Sequence, residues 1–167
     1  GDTIELRRHR PANLSTVLRW YADPELARLT RYSLRPMPHD EVERFFQSRL
    51  LSTESVAYGI HVKASGRLIG LTTFSGLDPD NGSVLFHITI GETDAWGHGF
   101  GTEAVRLMLG LAFERIGLHR VGLAVFAVNG RGIRSDQKAG FRVVAREPHK
   151  SFGQDLVAET WELSLAG

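Results

Sequence analysis

Apolar residues recur with two different periods along this chain, and the change between them predicts its helices and strands. Alternation of apolar and polar residues is typical of a half-buried strand, whereas a repeat of about 3.6 residues is typical of an amphipathic helix. Ile4 and Leu6 share one face of a short alternating stretch, and Leu14, Val17 and Tyr21 recur at helical spacing after Pro11. The chain is therefore expected to begin with a strand that is followed by a helix.

The same two periods divide the rest of the chain. A Pro24-led turn and a second amphipathic helix at residues 42–50 precede three strands, Val56–Lys63, Arg67–Phe74 and Val84–Ile90. They are followed by a long helix over Phe100–Ile116, a strand over Val121–Val128, a short helix over Ile133–Ala139 and two strands over Phe141–Glu147 and Leu156–Leu165. This order predicts an α/β (α+β) fold, in which one mixed sheet has helices on both faces. We expect one domain over residues 1–167, because 167 residues is a usual length for a single domain.

Composition and charge exclude several classes of function. Lys and Arg number 20 against 19 Asp and Glu, so a net charge of +1 gives no general attraction to nucleic acid or anionic lipid, and we expect neither partner. The chain has no cysteine, and its 7 histidines show no i, i+4 spacing, so we expect no metal and no thiol chemistry. The longest apolar stretch is far shorter than the ~20 residues of a membrane helix, and no apolar signal core follows the basic residues near the start. We therefore expect a cytoplasmic protein.

The most informative segment runs from Ile88 to Ala104, where a strand ends and Gly97, Gly99 and Gly101 lead into a helix. Glycine lets the backbone approach a ligand closely, and the free N–H groups at a helix start attract negative charge, so the segment predicts a site for a pyrophosphate. No Lys-Ser/Thr pair follows the last glycine, and the spacing does not match the dinucleotide fingerprint. Taken alone, the pattern is equally compatible with a glycine-rich connection that binds nothing.

A second segment, Asn129 to Phe141, gives the first one a more specific meaning. Trp-Gly-His-Gly-Phe-Gly-Thr-Glu-Ala (residues 96–104) and Asn-Gly-Arg-Gly-Ile-Arg-Ser-Asp-Gln-Lys-Ala-Gly-Phe (residues 129–141) together resemble the two cofactor motifs of the GNAT superfamily of N-acetyltransferases. Their form is most similar to the branch of ribosomal-protein N-terminal (alanine) acetyltransferases and spermidine acetyltransferases. The element order agrees along nearly the whole chain. The resemblance therefore implies a GNAT-like, mostly antiparallel, splayed β-sheet and acetyl-CoA as the cosubstrate.

The resemblance also implies which residues bind that cosubstrate. The main chain of Thr89, Ile90 and Gly91 would pair with the pantetheine arm like an added strand. The N–H groups of the following loop would hold the pyrophosphate, which assigns this role to Gly97, His98, Gly99, Phe100, Gly101 and Thr102. Asn129 would form a hydrogen bond with the pantetheine, and the Lys138 side chain would contact a phosphate. Judged from the residues alone, Asn129 also suits a helix N-cap and Lys138 also suits a solvated surface lysine.

The catalytic residues are indicated less clearly, because the chain departs from the family pattern at those positions. Asp136 stands where many relatives have a tyrosine beside the thioester sulfur, and Gly132 stands where a serine is common. Histidine suits proton transfer near neutral pH, so His87 is a candidate base, and Asp136 is a second candidate. A histidine packed in the sheet and a solvated aspartate are the alternative interpretations.

The function implied by the resemblance is acetyl transfer from acetyl-CoA to a primary amine, either a protein N-terminus or a small molecule, by direct attack. The loop that lines the acceptor pocket in this family carries Arg28, Arg31, Tyr32 and Arg35 here, which suits an anionic amine better than a polyamine. The same residues also suit an ordinary solvated loop. Two alternatives stay open: a CoA-binding regulatory module with little or no catalysis, and an interaction protein that keeps only the scaffold. The sequence also leaves open whether the chain forms a homodimer.

Overall fold

A computed structural model describes residues 2–26, 37–52, 56–78, 80–126, 142–151 and 154–164. Within these ranges seven strands form one sheet in the order β1-β2-β3-β4-β5-β7-β6. The strands are β1 (Ile4–Arg7), β2 (Ala57–Val62), β3 (Leu68–Asp78), β4 (Ser83–Ile90), β5 (Arg120–Phe126), β6 (Arg142–Ser151) and β7 (Gln154–Ser164). All neighbouring pairs are antiparallel except β4 and β5, which run parallel. The predicted mixed, mostly antiparallel sheet is confirmed.

Helices cover both faces of this sheet, as predicted. Helix α1 (Leu14–Ala22) follows a 3₁₀ turn at Pro11–Asn13, while α2 (His39–Phe45) and α3 (Phe100–Gly110) continue into wider π-type turns at Phe46–Leu50 and Leu111–Ile116. On one face, Val17 and Trp20 of α1 and Val42 of α2 lie in one buried cluster with Leu71 of β3. On the other face, Val105 and Met108 of α3 are buried with Val84 and Phe86 of β4. Burial of these two apolar surfaces fixes the layers of the domain.

Two strands extend beyond their predicted ends: β6, which is predicted to end at Glu147, continues to Ser151, and β3 is also longer than predicted. Alternation predicts that this strand ends at Phe74, whereas it continues to Asp78. Pairing with β4 goes on past Phe74 because the register shifts between Ser75 and Asp78, where Gly76 adopts φ +61°. A glycine with positive φ allows the extra residue of a β-bulge, and the local break in alternation hides this extension from a sequence pattern. The predicted short helix Ile133–Ala139 lies outside the described residues.

Candidate functional site

Strands β4 and β5 pair only where they begin. Their register comprises three residue pairs, Ser83 with Arg120, Val84 with Val121 and Leu85 with Gly122. Strand β4 then continues to Ile90, while β5 pairs along its whole length with β7 on its other side. The two central strands therefore diverge beyond Leu85, and one edge of β4 faces the opening between them.

The register of β4 decides which main-chain groups face this opening. Gly91 N–H donates to the carbonyl oxygen of Ile69 on β3 at 2.8 Å. Main-chain groups alternate in direction along a strand, so the N–H and C=O of Ile88 and Ile90 are directed away from β3 and toward the opening. The carbonyl oxygen of Ile90 also accepts a hydrogen bond of 2.9 Å from Nε1 of Trp96.

The glycine-rich loop lies between the end of β4 and the start of α3. A 3₁₀ turn at Thr93–Ala95 leads to Gly97 and Gly99, whose φ angles are +82° and +80°. Non-glycine residues rarely adopt this left-handed backbone, and a Cβ added at either glycine would meet no atom within 4 Å, so the loop presents open backbone. Helix α3 begins at Phe100, directly after these exposed glycines.

The first turn of α3 gives this loop the character of an anion site. The N–H groups at a helix start have no partner inside the helix, and the helix dipole makes that end electropositive. The predicted residues Gly97, His98, Gly99, Phe100, Gly101 and Thr102 span the loop and the first turn of α3. They follow the strand end that contains Thr89, Ile90 and Gly91. Of these three, the register directs only the main-chain groups of Ile90 toward the opening, because Thr89 and Gly91 face β3. The His98 and Phe100 rings stack on each other, with centroids 5.7 Å apart.

A cluster of charged side chains fixes the turn between β4 and this loop. The Glu92 side chain is 9% exposed, and its carboxylate accepts hydrogen bonds of 2.5 and 3.1 Å from the guanidinium of Arg19 on α1. Arg67 lies 3.4 Å from the same carboxylate and also donates two hydrogen bonds, of 2.9 and 3.0 Å, to Asp94. The hydrogen bonds from Arg19 hold the pKa of Glu92 below its usual range.

The sequence contains no local signal for this cluster. Arg19 and Glu92 are 73 residues apart, and Arg67 and Asp94 are 27 apart, so no spacing signals that they meet. Each residue alone suits a solvated surface position. Only the juxtaposition of α1, the β2–β3 hairpin and the end of β4 brings the four charges together.

Trp20 holds the same turn from its apolar side. Its side chain is buried, and a Cβ added at Gly91 would overlap its ring. Glycine at this position is therefore required by close packing of the indole against the backbone. The end of β4 thus packs against α1, while one edge faces the opening between β4 and β5.

His87 is located on β4, on the strand that borders the opening. Its Nε2 lies 3.1 Å from Oγ of Ser75 on β3. Desolvation of the ring by the surrounding sheet lowers the pKa of His87, and the positive charge of Arg49 lowers this pKa further. A neutral imidazole at neutral pH can accept a proton. The second candidate, Asp136, lies outside the described residues, as do Asn129, Lys138, Arg28, Arg31, Tyr32 and Arg35.

In the part of the chain that the structure describes, no helix is long and apolar enough to cross a membrane. Among those same residues, no group of three or more His, Cys, Asp or Glu side chains is arranged to hold a metal ion.

Comparison with known proteins yields one family. The family model described as Acetyltransferase (GNAT) domain matches residues 3–142. The uncharacterized N-acetyltransferase p20 of Bacillus licheniformis is 23% identical over 136 residues, which cover 80% of this chain and 75% of that protein.

Solved structures share the fold. Spermidine N-acetyltransferase from Vibrio cholerae, in complex with CoA and spermine, superposes with a TM-score of 0.85 at 16% identity, covering 98% of this chain and 96% of that one. A GNAT-family acetyltransferase from Bacillus anthracis gives a TM-score of 0.82 at 13% identity, with 97% and 95% of the two chains covered.

Proposed function

The chain belongs to the GNAT acetyltransferase domain family and is an N-acetyltransferase, and from this premise we propose that it transfers the acetyl group of acetyl-CoA to a primary amine. The observation that carries the proposal is the continuity between the divergent edge of β4 and the left-handed glycine loop at the start of α3. An extended amide chain can pair with the first, and a pyrophosphate can lie on the second.

The described residues fit such a donor. The main chain of Ile88 and Ile90 is directed to the opening, where it would hydrogen-bond the amides of the pantetheine arm. Gly97 and Gly99 leave open space in which the phosphates would approach the N–H groups of Phe100 and the residues after it. Asn129 and Lys138 are proposed to add side-chain contacts to the pantetheine and a phosphate. Acetyl-CoA supplies an activated thioester carbonyl.

The chain's own residues would then accept the amine proton and stabilise the negative charge that develops on the carbonyl oxygen. An ammonium group has no lone pair, so the acceptor must lose a proton before its nitrogen attacks. We assign this proton to the imidazole of His87, directly or through a water molecule, because the lowered pKa of His87 keeps the ring neutral. Main-chain N–H groups at the opening would stabilise the oxyanion. The C–N bond forms as the C–S bond breaks, and the departing thiolate takes up a proton, for which Asp136 or water is the proposed source.

The donor is tested by a matched pair of glycine variants. We expect acetyl-CoA to raise the melting temperature of the wild type, because a ligand that binds only the folded state stabilises it. Gly99→Val should abolish this shift. Gly117→Val is the control: Gly117 ends the helical segment after α3 with φ +83° and open space, so its backbone strain matches that of Gly99 at a place remote from the loop. Stabilisation by NADH or ATP and not by CoA would refute the assignment of the donor.

Transfer itself is tested by release of CoA thiol in the presence of amines. We expect thiol release that depends on both acetyl-CoA and the acceptor, with the acetylated amine found by mass spectrometry. Acetyl-CoA binding without transfer to any amine of a broad panel, including peptide N-termini, would instead support the alternative of a CoA-binding module.

A further inference from the structure

The segment from Ile90 to Trp96 connects the two halves of the proposed donor site, and it is anchored at three points. Trp20 covers Gly91, and the Trp96 indole donates to the Ile90 carbonyl. Between these two contacts, Glu92 binds Arg19 of α1 at 2.5 and 3.1 Å. The position of the glycine loop relative to the edge of β4 therefore depends on this short turn.

The charges at the middle anchor are arranged as a chain. Arg19 binds Glu92, Glu92 lies within 3.4 Å of Arg67, and Arg67 binds Asp94 through two hydrogen bonds. Taking a carboxylate out of water is costly, and a well-packed apolar residue would often stabilise a fold as well as a buried ion pair does. Here two planar guanidinium groups form hydrogen bonds with two carboxylates of one turn. Such directional bonds fix the orientation of the turn, which an apolar contact does not.

We propose that Glu92 is a positioning residue, whose carboxylate, held by Arg19 and Arg67, sets the glycine loop at the distance from β4 that lets one donor molecule bind both. The inference rests on the proposed function, because it concerns the donor of that same reaction. Glu92 itself is nine-tenths buried. It acts through the turn that it holds.

The test compares two ligands that differ in whether they reach the loop. Acetylpantetheine carries the thioester and the amide arm, whereas acetyl-CoA adds the pyrophosphate and the nucleotide. For Glu92→Gln we expect the affinity for acetyl-CoA to fall by about tenfold or more, which is within the range for residues of one network. The affinity for acetylpantetheine should stay within about twofold, because that ligand uses the β4 edge only. Calorimetry measures the first affinity, and an NMR titration measures the second.

Steady-state kinetics test the role of Glu92 independently. The KM for acetyl-CoA should rise in Glu92→Gln while kcat changes by less than about threefold, because the residue makes no contact that appears only in the transition state. The remote pair Arg44 and Asp40 on α2, 3.3 Å apart and exposed, provides the control. Asp40→Asn should change neither affinity nor KM.

Several outcomes would overturn the proposal. An equal loss of affinity for both ligands would reveal a general structural role, and unchanged acetyl-CoA affinity would remove Glu92 from the donor site. If Glu92→Gln fails to fold, Arg19→Lys and Arg67→Lys serve instead, since each keeps the charge and loses the paired hydrogen bonds; the same selective loss for acetyl-CoA is required of them. A wild type that binds neither ligand would refute the proposed function itself, and this outcome is distinct from a failure of the Glu92 proposal alone.

Discussion

Gly91 shows how much a single residue can decide in this fold. Its backbone lies against the buried indole of Trp20, so the methyl group of alanine has no room there. We predict that Gly91→Ala lowers the free energy of unfolding by about 1–3 kcal/mol, the usual cost of overpacking. Gly110→Ala is the matched control. A Cβ at Gly110 meets only a Glu114 carboxylate oxygen at 4.0 Å, so alanine in this helix should stabilise the protein by up to about 1 kcal/mol. Urea denaturation of both variants measures the difference, and equal stabilities would contradict the packing described for Trp20.

His87 is the second residue for which the structure makes a sharp prediction. Because the pKa of His87 is lowered, the imidazole stays neutral until the pH falls below the ordinary value of 6.5. If His87 accepts the amine proton, kcat should decline only below that pH, and His87→Ala should reduce kcat by about tenfold or more at neutral pH. Asp136→Asn should have a smaller effect. The measurement is a pH profile of kcat with one acceptor at saturation.

A Ser75→Ala variant separates catalysis from orientation of the ring. It removes the hydroxyl that lies 3.1 Å from Nε2 and leaves the imidazole in place. We expect a smaller loss of kcat than for His87→Ala. Full activity of both His87→Ala and Asp136→Asn between about pH 6 and pH 9 would leave bulk water as the base.

At the scale of elements, one carboxylate ties α3 to β1. Glu103 accepts hydrogen bonds from the N–H of Thr3 at 2.9 Å, the N–H of Ile4 at 3.4 Å and the Thr3 hydroxyl. Burial opposes ionisation, but these hydrogen bonds outweigh it and lower the pKa of Glu103. The lowered pKa means that the contact stabilises the fold fully above the ordinary value of 4.5 and loses this effect as the pH falls through the folded-state pKa.

We therefore predict that Glu103→Gln destabilises the protein by about 0.5–1 kcal/mol at neutral pH, since it weakens hydrogen bonds to a charged acceptor that solvent partly screens. The gap from the wild type should narrow as the pH drops below 4.5. Unfolding free energies measured over that range test the prediction. Glu114→Gln, at an exposed position in the turn that follows α3, serves as the control and should leave the pH dependence unchanged. Parallel curves for Glu103→Gln and the wild type would contradict the proposed link.

The sequence is most informative about the individual helices and strands. Periodicity predicts β4 and the long helix after it, because each buries one apolar face whatever lies next to it. It does not predict that β4 and β5 pair over three residues only, because this depends on how two distant segments meet. Only the family resemblance implies that the two strands diverge. The contact between Arg19 and Glu92 could not be predicted for the same reason. The glycine loop can be predicted, because closely spaced glycines directly before a helical pattern are visible in the local sequence.

The whole molecule carries a net charge of only +1, so selectivity for a charged acceptor must come from local charge. The segment between α1 and α2 carries Arg31 and Arg35 on either side of Tyr32 in the sequence, outside the described residues. We propose that these arginines border the acceptor cleft. A partly exposed contact between arginine and carboxylate is worth about 0.5–1 kcal/mol, so two contacts change kcat/KM by roughly five- to thirtyfold.

We predict that amines carrying a carboxylate or phosphate, or peptide N-termini followed by acidic residues, are preferred over spermidine. Screening acts over about 10 Å at 0.1 M salt, so the preference should shrink as salt is added, because exposed charges attract each other less. The measurement is kcat/KM for one anionic and one cationic acceptor of similar size, in the wild type and in the double variant Arg31→Ala, Arg35→Ala. Replacing the exposed Arg44 of α2 by alanine controls for a general loss of positive charge. The double variant should lose most of the selectivity and keep its affinity for acetyl-CoA, since the proposed donor site is at the end of β4. A wild type that prefers spermidine, or a double variant with unchanged selectivity, would show that the acceptor is chosen by other residues.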